Sequence, residues 1–132
     1  MNTTEIIQTY YARFNAADWE GMLELLTDDV SHDVNENSRE GGKPAFRAFL
    51  ARMNECYQEH IEPLEVMVNA DGSRAAAEYQ VSGTYQASDT GLPQAAGQQY
   101  SLPGGAFFTV RGAKIARVTN YYNLQDWLSQ IA

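Results

Sequence analysis

The chain of 132 residues is poor in the groups that most often advertise a chemistry: it holds one cysteine, two histidines and nine basic residues. A lone Cys56 excludes an intrachain disulfide and fits a reducing compartment. It falls inside a helical pattern with no glycine elbow, which marks a packing thiol rather than a nucleophile. His32 and His60 sit on separate elements without ligand spacing, so no metal is expected, and no cofactor motif is present. The Lys and Arg residues are scattered among seventeen acidic ones for a net charge of −8, which argues against nucleic acid or anionic lipid as a partner. No apolar run is long enough to span a membrane, and Met1 to Glu5 carries neither a basic region nor an apolar stretch, so a cytoplasmic protein is expected. Without repeat, low-complexity tract or linker, residues 1–132 read as a single domain.

What is present is an ordinary globular composition, 44% hydrophobic and 20% charged, with a clear change of period along the chain. Asn2 and Glu5 form a capping-box pattern ahead of Ile6, Ile7, Tyr10, Tyr11 and Phe14 at helical spacing. Asp18 can cap a second short helix, and a brief strand is expected from Val30 to Val34. Asn35 to Gly42 reads as a loop, and Pro44 opens a third helix with Phe46, Phe49, Leu50, Met53 and Tyr57 as its stripe. Beyond Pro63 the period becomes two. Leu64–Val68 and Ala75–Tyr85 flank the Asp71-Gly72 hairpin signal, strands follow around Tyr100–Val110 and Lys114–Tyr122, and Asn123 and Asp126 can cap a closing helix over Leu124–Gln130. Helices followed by a strand meander predict an α+β fold, with the N-terminal helices packed on a curved antiparallel sheet.

Alternation assigns the faces. Ala77, Tyr79, Val81, Gly83 and Tyr85 share one side of their strand and should look at the helices, while Glu78, Gln80, Ser82 and Thr84 look away. On the last strand Val118, Asn120 and Tyr122 share a face. A buried Asn needs a protein, water or ligand partner, and buried phenols need the same, so Asn120, Tyr122, Tyr79 and Tyr85 suit a pocket lining as well as a satisfied core.

The opening Gln8-Thr-Tyr-Tyr-Ala-Arg-Phe-Asn-Ala-Ala-Asp-Trp-Glu-Gly-Met22, with Leu25-Leu-Thr-Asp-Asp29, resembles that of the bacterial ketosteroid isomerases. Gly112-Ala-Lys-Ile115 and Tyr121-Tyr-Asn-Leu124 resemble the end of the SnoaL-like polyketide cyclases. Both belong to the nuclear transport factor 2-like superfamily, and the likeness covers nearly the whole chain. It implies a cone-shaped α+β fold with a deep pocket between sheet and helices, and a homodimer through the outer sheet face. It also implies roles. Tyr10 stands where the isomerases keep an oxyanion-hole tyrosine, and Asp33 stands near their general base. One residue of slip puts His32 inside instead, because neighbours on a strand face opposite ways. The isomerases' second oxyanion donor, a protonated aspartic acid, aligns with Gly105, and Asn123 replaces a terminal Asp of the SnoaL-like proteins.

Two functions are consistent with these residues. One is a cofactor-independent isomerase or cyclase moving a proton on a small apolar carbonyl compound, with Asp33 or His32 as base and Tyr10, Asn120 or Tyr122 stabilising the enolate. The other is a non-catalytic protein holding an apolar ligand against Tyr79, Tyr85 and Phe107, oriented by Asn120. A third use of the same fold would be a dimeric module built on the outer face of Gln80, Ser82 and Thr84.

Overall fold

The computed structural model describes residues 1–36 and 39–132. Helix α1 (Thr3–Asn15) starts at the expected capping box, with Asn2 accepting from the Glu5 amide and Glu5 accepting from the Asn2 amide. Its apolar stripe buries Ile6, Ile7, Tyr10 and Tyr11. Helix α2 (Trp19–Glu24) is capped by Asp18 through the Gly21 amide, which satisfies a donor that the first turn leaves free. Helix α3 (Lys43–Cys56) opens with Pro44 in its first turn, and α4 (Leu124–Ile131) opens on Asn123, whose side chain accepts from the Asp126 amide.

Between them run β1 (Leu26–Val34), β2 (Arg39–Gly41), β3 (Tyr57–Val68), β4 (Arg74–Tyr85), β5 (Gln98–Arg111) and β6 (Lys114–Tyr122). Among the described residues they form one six-stranded sheet in the order β2-β1-β6-β5-β4-β3. All neighbours pair antiparallel except β1 and β6, which are parallel, so the sheet is mixed. The parallel pair arises because β2, α3 and β3 to β5 intervene before β6 returns beside the strand that opened the sheet.

Three boundaries differ from the sequence expectation. Strand β1 begins at Leu26 rather than Val30. The expected loop at 35–42 contains the short strand β2, while Asn37 and Ser38 of that loop lie outside the described residues. Helix α3 stops at Cys56, and Tyr57 already opens β3, seven residues before the expected strand at Leu64. Pro63 masks this continuation, since an amide-free residue normally argues against a strand. Here β3 is an edge strand and its pairing with β4 shifts register between Ile61 and Leu64, which accommodates the proline.

The helices cover one face of the sheet, and the core splits in two. The larger part joins α1, α2 and α3 to Val30, Ala77, Ala106, Phe108 and Val118. A smaller aromatic part, Tyr57, Tyr85, Tyr100, Leu102 and Trp127, is closed by α4.

Candidate functional site

Two adjacent residues on β1 part company. His32 is 2% exposed and points to the inner face, tilted against the ring of Phe46 at 4.4 Å and edge-on to that of Phe49 at 4.6 Å between centroids. Asp33 points to the outer face, where it accepts from Arg39 Nε at 2.6 Å and from the Thr119 hydroxyl at 2.6 Å. Period two leaves no other choice once Val30 and Val34 flank the core. The Arg39 guanidinium, with Thr119, holds the Asp33 carboxyl below its usual range. Asp33 is thereby removed from the interior, and His32 takes the inward position that the sequence left open between them.

Strand pairing brings two partners to His32. Parallel β6 places the Asn120 side-chain nitrogen 3.2 Å from His32 Nε2. Antiparallel β2 places Glu40 opposite His32, with its Oε2 3.9 Å from His32 Nδ1. That separation exceeds hydrogen-bond reach, and both atoms are buried with no hydrogen-bond partner among the described residues. Burial disfavours the imidazolium and pushes the His32 pKa down to about 4, with Asp33 opposing weakly. The ring is therefore neutral at physiological pH, with one nitrogen able to accept a proton.

The tyrosines expected in a pocket divide. Tyr10 is buried on the inner side, edge-on to Phe108 at 5.7 Å and to Tyr11 at 5.1 Å, and burial together with the Tyr79 phenol raises its pKa. Tyr79 lies half-buried on the same face, its pKa pushed up to about 12 by burial, Glu59 and Tyr122. Tyr122 is half-buried beside Trp127 at 6.3 Å. Tyr85 is different. Its hydroxyl donates to the Pro93 carbonyl at 2.6 Å and accepts from the Asp89 amide at 2.9 Å, so it pins the loop after β4 and has nothing left for a ligand.

Phe107 does not line the interior. Ala106 and Phe108 are the inward residues of that stretch of β5, and Phe107 is 48% exposed on the outer face, edge-on to Tyr121 at 5.8 Å. The same alternation turns Gly105 outward. The inner positions beside it are Gly104 and Ala106, neither of which carries an acid.

Two glycines let aromatic side chains lie across the sheet. Tyr100 on β5 crosses over Gly83 on β4 and donates its hydroxyl to Glu59 Oε2 on β3 at 2.6 Å. A Cβ on Gly83 would fall 2.4 Å from the Tyr100 ring. Tyr79 crosses Gly104 toward Tyr122 in the same manner, where a Cβ would come within 2.8 Å of its ring. The space above Gly83 is thus filled by Tyr100. Glu59 is an acid that sequence reading missed, since its strand was placed too late to give it a face. Tyr57, Glu59 and Ile61 were the available signal, a run of period two ahead of Pro63. Burial raises the Glu59 pKa, and the Tyr100 hydrogen bond opposes that shift.

An open groove of about 910 Å³ wraps the β3 edge beside this pair, with Phe14, Trp19, Tyr57, Glu59, Gly83 and Tyr100 among its walls. No helix is long and apolar enough to cross a membrane among the described residues.

Residues 7–118 match the SnoaL-like domain. The chain is similar to the crystal structure of a candidate polyketide cyclase from Pseudomonas putida KT2440, at 56% identity over 100% of this chain and 99% of that one, with a TM-score of 0.99. It is likewise similar to a candidate polyketide cyclase from Xanthomonas campestris pv. campestris, at 52% identity over 98% and 96% of the two chains and a TM-score of 0.96. A nuclear transport factor 2-like protein from Burkholderia xenovorans LB400, 17% identical over 98% and 95% of the chains, has the same fold at a TM-score of 0.79. No protein of curated function matches the sequence. With the domain match spanning most of the chain, this protein belongs to the SnoaL-like family, and it has the fold of the nuclear transport factor 2-like proteins.

Proposed function

We propose that the protein is a cofactor-independent enzyme of isomerase or cyclase type, which moves a proton on a small, largely apolar carbonyl compound with His32 as the base. The observation that carries this reading is a buried, neutral imidazole on the inner face, set against an amide at 3.2 Å and a carboxylate at 3.9 Å. Burial between Phe46 and Phe49 keeps the ring unprotonated and so free to accept a proton, and a carboxylate approaching Nδ1 would offset the basicity that burial removes. Glu40 closing on Nδ1 would fix the tautomer that leaves Nε2 as the acceptor. Asn120, released from Nε2, would donate to the developing oxyanion, with the Tyr10 and Tyr122 phenols as further donors. Names given to the relatives from Pseudomonas and Xanthomonas, candidate polyketide cyclases, agree with enolate chemistry on a carbonyl substrate.

The test is solvent exchange. In D2O, 2-tetralone exchanges its α-protons slowly, and the protein should accelerate deuterium uptake in a saturable way that His32→Gln abolishes. Saturable binding of the ketone with no acceleration would favour the non-catalytic ligand-binding protein. Absence of both binding and acceleration across a panel of cyclic ketones would remove the proposal.

A further inference from the structure

The Tyr100–Glu59 pair has no place in the proton transfer just described, yet its geometry is specific. The phenol spans three strands to reach the carboxyl, and it can do so only because residue 83 has no side chain. Among the described residues the Tyr100 hydroxyl is the one hydrogen-bond donor on the Glu59 carboxyl, which leaves the second oxygen free. The pair stands at the wall of the groove whose apolar surfaces are the edge-to-face rings of Phe14 and Trp19, 5.8 Å apart, and the ring of Tyr57. Asn15, Asn54, Gln58, Gln99 and Gln130 supply polar but uncharged walls.

We propose that Glu59, held in place by Tyr100, is a specificity-determining acceptor for a hydroxyl group, phenol or enol, on an otherwise apolar ring-containing ligand. A half-buried carboxylate with one hydrogen bond gains most from a second donor, and bonds to a charged acceptor are the stronger kind. A neutral donor fits better than a cation. An ammonium brought into this wall would need more negative charge than one carboxylate whose ionisation burial already disfavours. The aromatic surfaces then hold the ring body, and the carboxylate reads whether the ring carries O–H. The proposal rests on the reading that this fold takes a small apolar molecule, but it requires no catalysis.

Paired probes test it directly: 2-naphthol and 2-methoxynaphthalene share a ring system and differ in the O–H. By isothermal titration at mildly alkaline pH, still below the ionisation of naphthol, the wild-type protein should bind 2-naphthol about tenfold more tightly, the ratio that one extra hydrogen bond to a charged group supports. Glu59→Gln presents an amide N–H to the ligand and should erase or invert the preference, and Tyr100→Phe should weaken it. Acidification should also close the gap, because a protonated Glu59 donates to the ether as readily as it accepts from the phenol. Equal affinities in the wild type, a preference that survives in Glu59→Gln, or no saturable binding of either probe would overturn the proposal. Selective binding of 2-naphthol without any α-proton exchange on ketones would sink the catalytic reading and leave this one standing.

Discussion

His32 Nε2 and the Asn120 amide nitrogen lie 3.2 Å apart across the parallel pairing of β1 with β6. That contact joins β1, the first strand after the N-terminal helices, to β6, the last strand before α4. It sets the imidazole and the neighbouring amide in fixed relation on the inner face. Opposite them, Glu40 comes from β2, which Arg39 ties to the outer face through Asp33. The outward ion pair and the inward dyad are thus two sides of the same short ladder.

The burial of His32 makes stability depend on pH. Its folded pKa, about 4, is below the 6.5 of an unhindered imidazole, so the unfolded chain binds the proton first as pH falls. Stability contributed by keeping the ring neutral is fully present above pH 6.5 and is lost as pH drops from there toward about 4. Near pH 5 the loss should be about 2 kcal/mol. Glu59, whose folded pKa is raised, works in the opposite direction and blunts the slope. Thermal or urea melts across this range should show the decline in the wild type and a flatter profile in His32→Gln.

Gly83→Ala should cost about 1–3 kcal/mol, the usual penalty of forcing an added methyl into a packed site. The new Cβ would stand 2.4 Å from the Tyr100 ring, so Tyr100 must leave Glu59. Gly41→Ala is the control, since a Cβ there meets nothing within 4 Å and the backbone is not left-handed. Melting temperatures of the two variants should separate clearly. The Gly83 variant should also bind 2-naphthol no more tightly than its methyl ether.

Glu40→Gln tests the carboxylate behind the imidazole. The amide keeps the shape but holds the Nδ1 proton less strongly, and α-proton exchange should slow on the order of tenfold, the worth of one charge-assisted bond in the transition state. Affinity for the ketone should hardly move. Unchanged exchange would show that the 3.9 Å gap between Glu40 and His32 stays open during turnover.

Much of this arrangement was legible in the sequence. Alternation placed Val118, Asn120 and Tyr122 on one face and Tyr79 with Val81 on another strand's inner face, and these hold. The capping residues Asn2, Asp18 and Asn123 were read correctly because a cap depends on a few neighbouring atoms. The inward member of the His32-Asp33 pair could not be read, since alternation gives two faces without saying which is inner, and only the pairing with Val118 and Thr119 settles it. Phe107 went to the wrong face by one residue, its apolar ring being matched outside by Tyr121 rather than by the core. Glu59 and Glu40 were invisible for a shared reason. Both lie on strands whose local pattern is broken, by Pro63 in one case and by a polar, glycine-ended turn in the other, and both gain their meaning from partners far away in sequence, Tyr100 and His32.

The outer pair deserves its own variant. Asp33→Asn keeps an acceptor for Thr119 but gives up the charge facing Arg39, whose side chain is 70% exposed. Solvent weakens such a pair, and the loss of stability should stay below about 1 kcal/mol in chemical denaturation.

The most direct measurement compares His32→Gln and Asp33→Asn side by side for deuterium uptake into 2-tetralone. General-base catalysis contributes about 10²–10⁴-fold, so His32→Gln should fall by at least about a hundredfold while Asp33→Asn remains within about threefold of the wild type. A collapse of exchange in Asp33→Asn with His32→Gln still active would contradict the account.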